Sequence, residues 1–168
     1  MNKLLLFGAF IFGIYSSAQM FTAMPSRLMP EDKIISLEGI SNKDIYQRVI
    51  KWVNITFKNP DKVLKSNIEN DLVKVNGIWN IDSRDYFGRT QLDLEYTMQI
   101  DIKDQKIRVN IYDLKGLGNF KYYLCFKNNG ERRDTKEVRN YLISIEKNAE
   151  AFIFNLINYI KENSNSDW

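Results

Sequence analysis

The chemistry open to this chain rests on carboxylates, arginines and phenols, because its 168 residues include no histidine and a single cysteine, Cys125. Histidine-assisted serine or cysteine triads are excluded on that ground, as are histidine metal sites. The densest run of reactive types is Ile81-Asp82-Ser83-Arg84-Asp85-Tyr86-Phe87-Gly88-Arg89, which reads as a loop between two strands. Asp82 and Asp85 form the best local pair of carboxylates, the groups a general acid and a general base need. Arg84, Arg89, Tyr86 and Phe87 are types that hold ligands. A solvated, glycine-containing connection accounts for the same residues. Asp82, Arg84, Asp85, Tyr86, Phe87 and Arg89 therefore stand as a candidate ligand or partner surface, with no catalytic, cofactor-binding or metal-binding residue assigned.

Other candidates are weaker. Asp93, Glu95 and Asp101 share one face of an alternating strand, but the spaced oxygen ligands and following glycine of a calcium loop are missing. Their expected task is to keep that face wet and discourage edge aggregation. Gly116-Leu117-Gly118 lacks the third glycine and the lysine of the phosphate-binding motifs. Cys125, between Leu124 and Phe126, reads as a small buried hydrophobe. Lys121, Lys127, Arg132 and Arg133, near Tyr122 and Tyr123, are types that touch anionic lipid or polysaccharide, but scattered surface lysines of this density are ordinary, and that is the favoured reading. Asn54-Ile55-Thr56 has the form of a glycosylation acceptor, but it falls within an expected helix beside Trp52. No cofactor is expected.

The first eighteen residues have the form of an export signal. Lys3 supplies a short positive end, residues 4–15 are apolar, and Ser16 and Ala18 fill the small positions of a cleavage site before Gln19. A membrane span needs about 20 apolar residues, so removal is expected and a transmembrane anchor is not. A lipoprotein signal would need cysteine where Gln19 stands. Loss of Lys3 leaves 23 basic against 21 acidic residues, a formal charge of +2, which names no polyanionic partner.

The elements that must position these groups follow from periodicity. Residues 19–32 hold three methionines and two prolines with little pattern, and suit an extended linker. Ile34, Ile35 and Leu37 are a short β-prone run. Ser41 then caps a helix carrying Ile45, Val49, Trp52, Val53 and Phe57 at helical spacing, which Asn59-Pro60 stops. Beyond it the period becomes two. A hairpin with Asn70 and Asp71 as loop sets Ile68 opposite Val73 and Ser66 opposite Val75. Residues 92–102 alternate apolar and polar without exception, and a turn at Asp104-Gln105 sets Ile100 against Val109, Met98 against Ile111 and Asp101 against Arg108. Phe120, Tyr122, Leu124 and Phe126 alternate as a candidate extra strand. A long helix follows Asp134-Thr135, its apolar residues running from Val138 to Ile160, with Phe154 and Ile157 widening the stripe toward either the sheet or a partner. Residues 163–168 read as a frayed tail, so a single domain is expected over residues 33–162. The order β-α-β-β-β-β, the candidate strand, then a long α gives a two-layer α+β fold, an antiparallel sheet with both helices on one face.

The short first strand, the helix from Asp44-Ile45-Tyr46 through Lys51-Trp52 to Phe57, the Asn70-Asp71 hairpin and the alternating pair over residues 92–112 resemble a family of exported Bacteroidota domains of unknown function with a TBP-like fold. The resemblance covers residues 33–116. It implies the fold name and a bacterial periplasmic or secreted location, and carries no activity and no site residues. TATA-binding proteins enter a minor groove with a positive sheet face, whereas Asp93, Glu95 and Asp101 on this face repel phosphate; nucleic acid is not an expected partner. The leading expectation is a non-enzymatic exported binding or protein-interaction module, monomer or weak homodimer, whose partner is an envelope protein or glycan. The alternative is a histidine-independent, carboxylate-based hydrolase acting on envelope polymer.

Overall fold

Alternation of period two builds the long strands, and the computed structural model, which describes residues 21–162, shows where the apolar sides go. The expected export signal and the expected frayed tail lie outside the described residues. In β6 (Gly88–Lys103) every even position from Leu92 to Ile102 is buried, while Asp93, Glu95, Gln99 and Asp101 keep contact with solvent. The result is an antiparallel seven-stranded sheet with one dry face. Strands β5 (Leu72–Asp85), β6 and β7 (Lys106–Gly116) form its centre, with β4 (Leu64–Ile68) outside β5. On the other side β7 pairs with both β3 (Lys33–Ser36) and the hairpin of β1 (Thr22–Met24) and β2 (Arg27–Met29).

Two helices cover the dry face. The Ser41 hydroxyl accepts the Asp44 N–H at 3.1 Å to cap α1 (Asn42–Thr56), and the Thr135 hydroxyl accepts the Val138 N–H at 3.2 Å to start α3 (Lys136–Glu162). They run antiparallel: Arg48 donates to the Ile160 carbonyl at 2.8 Å, and the Trp52 indole donates to Asn155 Oδ1 at 2.8 Å. Phe152 on α3 meets Trp52, Trp79 and Tyr96 edge-on at 5.0, 5.7 and 5.9 Å, so one ring joins both helices to the sheet. The expected two-layer α+β fold and the register of β6 on β7 are both present. Ile100 faces Val109, Met98 faces Ile111, and Asp101 accepts from Arg108 Nε at 2.9 Å. Asp104 and Gln105 both take positive φ, the combination a type I′ hairpin turn requires.

Several details differ from expectation. Residues 21–29 of the expected linker are part of the domain: Phe21, Ala23 and Leu28 are buried, and Pro25-Ser26 turns one strand into the next. Three-residue strands are too short to show convincing alternation among methionines and prolines. The β4–β5 loop uses three residues, with Asn70 at φ +63°, so Ile68 faces Leu72, Asn67 faces Val73, and a bulge returns Leu64 to Val75. Pro60 does not merely stop α1 but opens a single turn, α2 (Pro60–Val63). The candidate extra strand is instead a 3-10 turn at Tyr122–Cys125, because Gly116 and the Leu117 to Phe120 turn bring the chain beneath the start of α3, where Phe120 meets Tyr141 and Tyr122 and Cys125 are buried.

Gly77 explains how the aromatic core reaches the edge of the sheet. It pairs with Tyr96 across strands, and a Cβ there would stand 2.5 Å from the Tyr96 hydroxyl and 2.6 Å from its Cζ. The ring cannot retreat, since it stacks on Trp79 at 4.0 Å. Burial pushes the Tyr96 phenol above its ordinary pKa, opposed in part by the Trp79 indole. Gly77→Ala is expected to cost about 2 kcal/mol through overpacking, read as a lower urea midpoint with an unchanged slope.

Candidate functional site

The run expected to be a loop is the tip of a long hairpin. β5 continues to Asp85 and β6 begins at Gly88, so Asp82, Arg84, Asp85 and Arg89 sit on strands, and only Tyr86 and Phe87 form the turn. The reason is pairing: Ser83 faces Thr90 and Arg84 faces Arg89, continuing a ladder that begins at Leu72. Gly88, at φ +121°, takes a conformation that residues with a Cβ rarely adopt. The Asp85 carboxylate accepts the Phe87 N–H at 2.8 Å and tightens the turn.

Period-two geometry then separates the two carboxylates that sequence proximity had joined. Asp82 lies on the open face, in an exposed ion pair with Arg89, whose guanidinium pKa it raises by hydrogen bonding and charge. Asp85 lies on the helix side, where, after burial, its charge is the next influence raising the Tyr141 phenol. The hairpin thus places one acid on each face, and not the facing pair that acid-base hydrolysis requires. Tyr86 and Phe87 project from the tip 84% and 94% exposed, their rings edge-on at 5.5 Å.

Behind the tip a cleft of about 410 Å³ runs between β5 and the start of α3, lined by Asp82, Ser83, Arg84 and Arg89 on one side and Asn140, Ile143 and Ser144 on the other. Ser144 donates to the Ser83 hydroxyl at 3.1 Å, and Asn140 Nδ2 donates to the Arg84 carbonyl at 3.3 Å. The α3 half of this cleft was not legible locally. Asn140 and Ser144 are ordinary polar helix residues in sequence, and only the fold carries them to a strand more than fifty positions away.

The other candidates take plainer places. Cys125 is buried, and desolvation pushes its thiol up to about 11, away from nucleophile behaviour. Arg132 and Arg133 are absorbed by structure: Arg132 binds the Ala23 carbonyl and Glu146, and Arg133 donates to the Phe126 carbonyl at 3.0 Å. Lys127 pairs with Glu131 and Lys121 reaches the Gly118 carbonyl. On α3, Phe154 is exposed while Ile157 packs against the core. Among the described residues no cluster of acids and cysteine has the form of a metal site, and no helix is long and apolar enough to cross a membrane.

Comparison with known proteins agrees with the fold. A family model described as a domain of unknown function (DUF4468) with TBP-like fold matches residues 32–116. The structure is similar to a TBP-like protein from Parabacteroides distasonis, at 13% identity and a TM-score of 0.62, over 81% of this chain and 92% of that one. It is equally similar to a DUF4468 family protein from Bacteroides ovatus, at 11% identity and a TM-score of 0.62, over 81% of this chain and 88% of that one. No match is found among curated proteins.

Proposed function

The chain belongs to the DUF4468 family, a fold assignment without an activity, and we propose from its hairpin tip that it is an exported, non-enzymatic binding or protein-interaction module. The observation that carries this reading is the pair Tyr86 and Phe87. Two aromatic rings held almost wholly in water at a hairpin tip cost solubility and contribute nothing to the core, whereas exposed aromatics are what interfaces bury. Arg84, Arg89 and Asp82 beside them supply a polar rim. The export signal form of residues 1–18 supports a place in the periplasm or outside the cell, and an envelope protein or glycan as partner. The hydrolase alternative has lost its best support, since Asp82 and Asp85 do not face one another.

The test is crosslinking capture from the cell envelope with a photoreactive group at Arg89. One stoichiometric partner is expected. Tyr86→Ala with Phe87→Ala should weaken capture about tenfold or more, as loss of interface aromatics does, without lowering the melting temperature. Capture undiminished by that double change would overturn the reading.

A further inference from the structure

Strand β5 is covered only in part on the side away from β6. β4 pairs with it from Leu72 to Val75, while β6 accompanies it to Asp85, so residues 76–85 have no strand on their outer side among the described residues. The two-residue tip fixes which groups face outward. Its closing pair, Asp85 and Gly88, is hydrogen-bonded across the hairpin, and odd-numbered residues back along β5 share that role, so the backbone groups of the even-numbered ones point to the free edge. The Arg84 carbonyl agrees, because it points away from β6 to accept from Asn140 on α3. That contact closes the edge at the tip end. Asn76 still serves the pairing of Val75 with Leu64, so Ile78, Asn80 and Asp82 are left with outward N–H and C=O groups, and Ile78 is half exposed beside them.

At the other end, where β4 leaves the strand, a cleft of about 510 Å³ opens between Phe57, Val63 and Gly77, with Lys58, Lys62 and Lys65 on its walls. None of these lysines forms an ion pair among the described residues. Glu95 is the one acid lining it, so the cleft carries an excess of positive charge. Strand direction connects cleft and edge. A strand added antiparallel to β5 runs the same way as β4, and its C-terminal end arrives beside Leu64, in the lysine cleft.

We propose that the free edge of β5 takes an extended polypeptide with a free α-carboxylate, added antiparallel as a further strand, its carboxylate held among Lys58, Lys62 and Lys65. This rests on the binding-module reading and names the partner class for it. Main-chain bonds to Ile78, Asn80 and Asp82 supply the docking, as strand addition does. Phe57 and Val63 receive the last side chain on the helix side, and the lysines select a chain end over an internal segment by charge.

The test is an amide-shift titration of the full chain with octapeptides rich in valine and threonine, carrying either a free or an amidated C-terminus. Free-carboxylate peptides are expected to move the amides of Ile78, Asn80 and Asp82, and amidation to weaken binding about tenfold. The Lys58→Gln, Lys62→Gln, Lys65→Gln triple variant should bind both forms at the amidated level. Ile78→Pro removes an outward donor and no bond to β6, so it should abolish the shifts while the far-ultraviolet spectrum stays unchanged. Equal binding of the two peptide forms, absence of shifts along the edge, or concentration-dependent pairing of two copies through this edge would each overturn the proposal. A partner captured through Tyr86 and Phe87 without edge shifts would overturn it too, while leaving the binding-module reading intact.

Discussion

Glu146→Ala is expected to destabilise the domain by about 3 kcal/mol, a fall in melting temperature of roughly 10 °C. Glu146 is 3% exposed, and its carboxylate accepts the Ala23 N–H at 2.7 Å and a guanidinium N–H of Arg132. Arg132 in turn donates to the Ala23 carbonyl at 2.8 Å from Nη2 and 3.1 Å from Nε. Three distant segments therefore meet on one carboxylate: the β1 strand, the turn after Cys125 and the middle of α3. Truncation leaves a buried N–H without its acceptor and a guanidinium without its counter-charge, and both penalties count against the folded state. Because Arg132 is partly exposed, water recovers some of that cost, which places the estimate at the lower end for a broken buried pair. Chemical denaturation gives the magnitude, and amide exchange at Ala23 gives the location. Exchange at Ala23 should rise more than exchange at Met98, in the centre of β6. Equal acceleration at both would mean that Glu146 acts on the whole domain and is not a clamp on its first hairpin.

That clamp also shows why part of the fold escaped the sequence. Leu92 to Ile102 declared their strand because eleven residues repeat a two-residue pattern that no helix can use, and Ile107 to Ile111 agreed with it in register. The helices were equally plain, since each has a cap and a stripe. By contrast, β1 and β2 offer three residues each, and what holds them is a carboxylate 123 positions away in the chain. Long-range polar contacts leave no periodicity. The 3-10 turn at Tyr122–Cys125 misled in the opposite sense: Phe120 and Phe126 both pack edge-on against Tyr122, at 6.4 and 5.3 Å, so the alternation reflects ring packing around a turn and not an extended chain.

The candidate surface was half legible for a related reason. Its residue types stood together in the sequence, and all six are indeed at one hairpin end. What proximity could not supply was sidedness. A loop would have let Asp82 and Asp85 turn toward each other, whereas a ladder that persists to Asp85 assigns them to opposite faces. The decisive fact is the length of β5, and strand ends are set by pairing partners that local patterns underdetermine. The lysine cleft was invisible for the same cause, because it exists only where β4 stops short of its neighbour.

The largest loss is expected from Trp52→Ala, at about 4 kcal/mol, enough to leave much of the protein unfolded if the domain has ordinary stability. Trp52 is wholly buried and meets Phe57 at 6.1 Å and Phe152 at 5.0 Å, both edge-on. Its removal withdraws contacts from Phe152, the ring that binds α3 to Trp79 and Tyr96, and from Phe57, so the cavity opens between two rings and neither can fill it without leaving its own packing. The lost hydrogen bond to Asn155 matters less, because Asn155 is exposed and water can replace the indole. Trp52→Phe separates these contributions. It keeps a ring in contact with Phe152 while deleting the donor and part of the volume, and should cost about half as much. If Trp52→Phe proved as damaging as Trp52→Ala in urea denaturation, the indole–Asn155 bond, and not the ring cluster, would be what ties α1 to α3.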